Sequence, residues 1–178
     1  EVGALPAEFR EHASAAVASD WVAALEQDVE RRLGRGESGI LDVLGRQFET
    51  LIRCGVLDLD NRPGKEPGGY QCTLPERKLP FIFMNAVGLQ LDVQTMLHEA
   101  GHAFHALATR TEDLTAYRHA PIEFCEVASM SMELLGNEFI EAFYAAPEAK
   151  RARRGHLEGI VEIFPWIATV DAFQHWIY

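Results

Sequence analysis

A chain of 178 residues with 27 acidic and 16 basic side chains carries a net charge of −11. No Lys/Arg stripe runs beside a row of aromatics, which argues against a nucleic-acid partner. With 48% of its residues apolar it can bury the core of one domain, yet it has no run of about 18 apolar residues to span a bilayer.

No basic-then-apolar leader opens the chain. It begins at Glu1 and stops inside the apolar-rich run from Phe164 to Tyr178, so a piece of a longer polypeptide is expected. Cys54, Cys72 and Cys125 match neither a CxxC zinc motif nor a dense disulfide framework. Reduced thiols, buried as small hydrophobes in a cytoplasmic protein, are expected.

In chain order, the Ala-rich stretch from Pro6 to about Leu33 reads as one long or two shorter helices, ended by Gly34 and Gly36. Ser38 is a plausible cap for the next helix. There Ile40, Leu41, Leu44, Phe48, Leu51 and Ile52 recur at three-and-four spacing, and Gly55 is a natural stop. The turn formers from Asp58 to Gly69 read as a loop. Two short strands follow, Tyr70 to Leu74 and Pro80 to Met84. The spacing after Gly88 predicts a helix to about Thr109, and Ala120-Pro121 starts another with Glu123 in its first turn. Pro147 ends that helix and begins the last, in which Pro165 is expected to force a kink.

Residues 98–102 read His-Glu-Ala-Gly-His. On a helix the two imidazoles lie one turn apart on the same face and can grip one metal ion. Glu99 projects beside the pair, the position of a general base acting on a water at the ion. A Glu packed against two histidines is costly to bury without a cation, so Zn2+ is the expected cofactor. Gly101, unfavourable inside a helix, implies the close approach of another backbone.

A catalytic zinc takes three protein ligands and keeps one position open. His105 shares the face of His98 and His102, but a rigid helix cannot wrap three consecutive turns around one tetrahedral ion, so it is assigned to the site wall. The next helix offers Glu123, Glu126 and Glu133. Glu126 and Glu133 are seven apart on nearly the same face, with Ser129 between them. One carboxylate would bind the ion, and another would accept the ring N–H of a ligating His from behind.

The run His98-Glu99-Ala100-Gly101-His102-Ala103-Phe104-His105, followed by Glu123-Phe124-Cys125-Glu126-Val127-Ala128-Ser129 and Glu133, resembles the thimet oligopeptidase and oligoendopeptidase F family of zinc metallopeptidases. Gly64 to Gln71, Pro80 to Asn85 and Asp171 to Tyr178 resemble the oligoendopeptidase F branch. The resemblance covers roughly residues 40–178. It implies that Glu126 is the third zinc ligand, that the substrate is a short peptide, and that the fold is mainly α, a zincin-like helical metallopeptidase core with a small antiparallel β-sheet.

The layout expected is a single catalytic-core domain over 1–178, helical in 1–57, loop and small sheet in 58–88, and zinc-site helices in 89–178. The strand Phe81 to Asn85 is expected to offer an unpaired edge to an extended peptide, making Gly69, Tyr70, Met84, Asn85 and Ala86 candidate substrate contacts. Members of the family are several times longer, and a His and Tyr residues that steady the intermediate lie beyond the equivalent of Tyr178. The rival expectation is therefore a non-enzymatic zinc-binding domain or a catalytically incomplete fragment. Glu99 and the lack of a Cys cluster argue against a closed structural zinc site.

Overall fold

The computed structural model describes residues 40–178. The expected helix between Pro6 and Leu33, its stops at Gly34 and Gly36 and the cap at Ser38 lie outside the described residues.

Helix α1 (Ile40–Arg53) turns Leu44, Phe48 and Leu51 inward. It ends where expected, at Gly55, whose φ of 61° is the left-handed conformation that glycine adopts most readily. Gly55 N–H donates to the Ile52 carbonyl and Val56 N–H to the Leu51 carbonyl, closing the last turn.

Three strands follow, β1 (Leu57–Asp60), β2 (Gly69–Leu74) and β3 (Leu79–Ala86), in the spatial order β1-β3-β2. The β2–β3 pair is an antiparallel hairpin. β1, which overlaps the start of the loop expected from Asp58 to Gly69, adds parallel to β3, so the sheet is mixed rather than wholly antiparallel. Its two leucines, Leu57 and Leu59, alternate with aspartates and pack against the core, a period-two signal too short to stand out beside the turn formers that follow. Asp58 closes that loop, receiving both Arg62 guanidinium nitrogens at 2.5 and 2.7 Å and the Lys65 ammonium at 3.0 Å.

β3 buries alternate residues, Pro80, Ile82 and Met84, against helix α2 (Gln90–Thr109). A single-turn 3-10 helix (Thr115–Arg118) leads to α3 (Ile122–Asn137), and another (Ile140–Ala142) leads to α4 (Ala146–Ile177). Pro121 caps α3 rather than occupying its first turn, while Glu123 falls in that turn as expected. Pro147 stands at the start of α4 as expected but does not end α3, which has already stopped at Asn137, and helical structure continues without a break through Pro165.

α2 is the common wall of two cores. One, with Leu51, Val56, Ile82, Met84 and Phe104, joins it to α1 and the sheet. The other, with Val93, Ile140, Phe143, Tyr144 and Ala152, joins it to the second 3-10 turn and the start of α4. Only Ala149, Ala152 and His156 of α4 are buried. No helix among the described residues is long and apolar enough to cross a membrane.

Candidate metal centre

The start of α2 is tied to the sheet by one carboxylate. Asp92 Oδ2 accepts the backbone N–H groups of Val87, Gly88 and Leu89 at 2.9, 2.7 and 2.7 Å, satisfying donors that would otherwise be orphaned at the helix start. Two turns on, the rings of His98 and His102 stand 4.9 Å apart, edge to face.

α3 reaches these rings because residue 101 is glycine. A Cβ there would stand 2.5 Å from Ser129 Cα and 2.7 Å from the Ala128 carbonyl oxygen. The close backbone approach expected at Gly101 is thus present, and the partner is α3. It sets Glu126 opposite both histidines, with His98 Nε2 3.3 Å from Glu126 Oε2 and His102 Nε2 3.7 Å from Glu126 Oε1.

These three donors fit a divalent metal. Bonds of about 2.0–2.1 Å in a tetrahedral site separate neighbouring ligands by roughly 3.3–3.4 Å, close to both separations. One ligand atom from each of His98, His102 and Glu126 lies within 4.8 Å of the others. The side chains remain 28%, 16% and 41% exposed, respectively, so a further ligand has access from solvent. Ser129, fully buried, directs its hydroxyl to the Glu126 carbonyl and to Glu126 Oε2, both at 3.0 Å.

Behind His98 lies Glu133. Its Oε1 is 2.7 Å from His98 Nδ1, and its Oε2 is 2.8 Å from Gln94 Nε2 and 3.0 Å from His156 Nε2. The hydrogen bond from His98 and the one from Gln94 hold the buried Glu133 carboxyl below its usual range against the opposing pull of desolvation. A carboxylate only accepts, so His98 carries a proton on Nδ1, and in the neutral ring its Nε2 lone pair faces Glu126. In the neutral ring two acceptors face each other across 3.3 Å, a gap that a metal ion or a second ring proton fills. The Glu133 hydrogen bond, foremost, and the nearby Glu99 and Glu126 charges raise the His98 pKa, so a metal ion would displace a proton from this ring. Burial, foremost, keeps the pKa of His102 low, favouring the neutral ring that a metal requires.

Glu99 is buried beside the pair. Desolvation is the main cause that raises its pKa, while the His98 charge and a hydrogen bond from the Gln71 backbone oppose it. It stands outside the three-donor set.

The structure therefore brings together His98, His102, Glu126, Glu133 and Ser129, with Glu99 alongside. His105 is not in the donor set, though it is close enough to His102 to help lower its pKa. Glu123 is exposed on the first turn of α3.

Two expectations need correction. β3 is the central strand, paired on both sides, so it offers no free edge. Met84 is buried in the core rather than open to a substrate, Ala86 pairs with Asp60, and Asn85 is bound through its N–H to Gly68 and its amide to Lys65. Gly69 and Tyr70 lie on β2, which has β3 as its strand partner and is an edge of the sheet. Cys54 and Cys72 are exposed rather than buried, and all three thiols are free.

Gln94, His156 and Asn137 escaped the sequence reading. Gln94 had a signal, since it precedes His98 by one helical turn. His156 and Asn137 had none, because the first comes from another helix and the second ends α3.

Residues 39–178 match the model of Peptidase family M3. Oligoendopeptidase F (chromosomal) of Lactococcus lactis subsp. cremoris is 28% identical over 98 residues, covering 53% of this chain and 16% of the relative. Oligopeptidase PepF of Bacillus subtilis (strain 168) is 29% identical over 101 residues, covering 54% of this chain and 15% of the relative. Among solved structures, PZ peptidase A with an inhibitor superposes with a TM-score of 0.74 and 30% identity, covering 91% of this chain and 26% of that one. A structure assigned as an oligoendopeptidase F from Bacillus anthracis str. Ames gives a TM-score of 0.73 and 31% identity, covering 89% and 28%. The chain thus matches about a sixth of the length of these sequence relatives and about a quarter of these structures.

Proposed function

The chain belongs to peptidase family M3, and from that premise we propose that it forms the zinc-binding core of an endopeptidase that hydrolyses short oligopeptides. The observation that carries this reading is the convergence of His98 Nε2 and His102 Nε2 on the Glu126 carboxylate at 3.3 and 3.7 Å, with Glu99 one residue away. His98, His102 and Glu126 hold the ion, and Glu133 fixes the His98 tautomer. When bound, zinc supplies Lewis acidity that lowers the pKa of water to about 7 and polarises a carbonyl.

Glu99 acts as general base. Its carboxylate takes one proton from the attacking water as the C–O bond forms. It then delivers that proton to the amine as the C–N bond breaks, so it ends the cycle ionised as it began. Burial supports this role, because a carboxyl with a raised pKa is a stronger proton acceptor than an exposed one.

The peptide would lie extended along β2, near Gly69 and Tyr70, as an added strand. The supporting geometry is the register. Asn85 N–H bonds the Gly68 carbonyl and Gly69 faces Met84, so the alternation of an antiparallel ladder turns the Gln71 N–H away from β3. That N–H reaches Glu99, which links the edge of β2 to the proposed base.

The test is hydrolysis of an internally quenched peptide library by zinc-loaded protein, with Glu99→Gln alongside. Cleavage by the native protein and none by the variant is expected. Stoichiometric zinc without cleavage by the native protein would instead assign the chain to the non-enzymatic zinc-binding reading.

A further inference from the structure

Glu133 makes three contacts, and the His98 Nδ1 bond on Oε1 accounts for one. The other two meet on Oε2, where Gln94 Nε2 approaches at 2.8 Å and His156 Nε2 at 3.0 Å. His156 is the innermost polar residue of α4, which otherwise buries only Ala149 and Ala152. Its other ring nitrogen, Nδ1, contacts the Asn137 side-chain amide. The chain of contacts therefore runs from the metal ligand His98 on α2 through the buried Glu133 on α3 to the buried His156 on α4, and returns to α3 at Asn137.

The protons in this chain can be assigned from chemistry. A carboxylate has no donor, so His156 must present an N–H at Nε2. A neutral imidazole protonated there is an acceptor at Nδ1, and the Asn137 amide donates to it. Asn137 thus holds the tautomer of His156, as Glu133 holds that of His98. With Oε2 engaged by Gln94 and His156, the carboxylate cannot rotate away, and Oε1 stays aimed at His98. Without the imidazole, Gln94 alone would hold Oε2, and Glu133 could swing towards the cleft lined by Gln90, Asn137 and Tyr144.

The geometry points to His156 as a positioning residue for the metal centre, acting through Glu133 to preset His98 for binding a divalent ion. This rests on the zinc site proposed above. It makes α4 part of the metal centre although it supplies no ligand, and predicts that zinc affinity depends on how the first turns of α4 dock.

The test measures zinc affinity of the intact protein by competition with a chromophoric chelator, with circular dichroism as the check on folding. His156→Leu removes the hydrogen bond, and zinc binding should weaken by up to about 10-fold. This is the low end of the loss on removing a group that orients a ligating histidine, because His156 acts on His98 only through Glu133. His156→Gln can place an amide N–H near the old Nε2 and should recover most of the affinity, which a merely space-filling role would not require. Asn137→Ala leaves the imidazole in place and should weaken binding in the same direction by a smaller factor, so the inference stands testable even if His156→Leu fails to fold. In a Glu133→Ala background the His156 substitutions should have no further effect.

Native-like affinity in both His156→Leu and Asn137→Ala would overturn the inference, as would equal losses from His156→Leu with and without Glu133. Those results leave the zinc site itself intact. A native protein that binds no zinc would remove the site, and this inference with it.

Discussion

Adding one methyl group at Gly101 should damage both the fold and the metal centre. The Cβ of an alanine would stand 2.5 Å from Ser129 Cα, 2.7 Å from the Ala128 oxygen and 3.0 Å from the Ala128 carbonyl carbon. All three are backbone atoms, so no side chain can rotate out of the way and α2 and α3 must move apart. Overpacking of this kind typically costs about 1–3 kcal/mol, and a clash with rigid backbone belongs at the upper end. Helix propensity returns about 1 kcal/mol, since alanine is favoured over glycine. The net expectation is a loss of about 2 kcal/mol, or roughly 4–8 °C in Tm for a chain of this size.

Gly45 in α1 has nothing within 4 Å of its would-be Cβ, so Gly45→Ala should move Tm the opposite way, upward by up to about 2–4 °C. Thermal melts of the two variants give the sign, and zinc titration gives the functional consequence. Gly101→Ala should bind zinc more weakly, because Glu126 rides on the displaced helix, while Gly45→Ala should bind as the native protein does. A Gly101→Ala protein as stable as Gly45→Ala, with native zinc affinity, would refute the reasoning.

Glu99→Gln should retain zinc within a few-fold of native while kcat falls by at least about 10²–10⁴-fold, read by metal analysis and peptide hydrolysis on the same sample. Asp92→Ala strips one acceptor from three backbone N–H groups at the start of α2, and denaturant unfolding should show a loss of about 1–2 kcal/mol. Asp58 is held down to about 2, chiefly by its hydrogen bond to Arg62 and further by Lys65. A carboxyl depressed in the folded state stabilises it fully above the unfolded pKa, and that stability disappears as pH falls from about 4 through about 2. Melts across that window should show native protein losing stability faster than Asp58→Asn, and parallel curves would contradict the assignment.

The sequence made the centre of the site legible because its signals are local. His98 and His102 are one helical turn apart, and Glu126, Ser129 and Glu133 share one face of the following helix, so periodicity alone juxtaposes each set. Gly101 announced the close approach of another backbone through its poor helix propensity, although not which one. The strands β2 and β3 were legible from their apolar runs and bounding turn residues, but not their pairing.

What stayed hidden depends on pairing across the chain. Leu57 and Leu59 offer too short an alternation to declare a strand, and without β1 the central position of β3 cannot be deduced. His156 reaches Glu133 across 23 positions of sequence from another helix, and no spacing rule links them. Pro165 removes its own N–H from the α4 ladder, and its ring crowds the carbonyl one turn earlier. Helical structure continues past it, and the Thr169 hydroxyl donates to the Pro165 carbonyl at 2.7 Å.

The most direct test of the metal centre is equilibrium dialysis against zinc of native protein and Glu126→Ala, with metal quantified per chain. One zinc per native chain, and a large loss of affinity on removing that single carboxylate, is the result predicted from the 3.3 and 3.7 Å approach of two imidazoles to it. Equal zinc binding by the two proteins would contradict the assignment of Glu126, and with it the site as described.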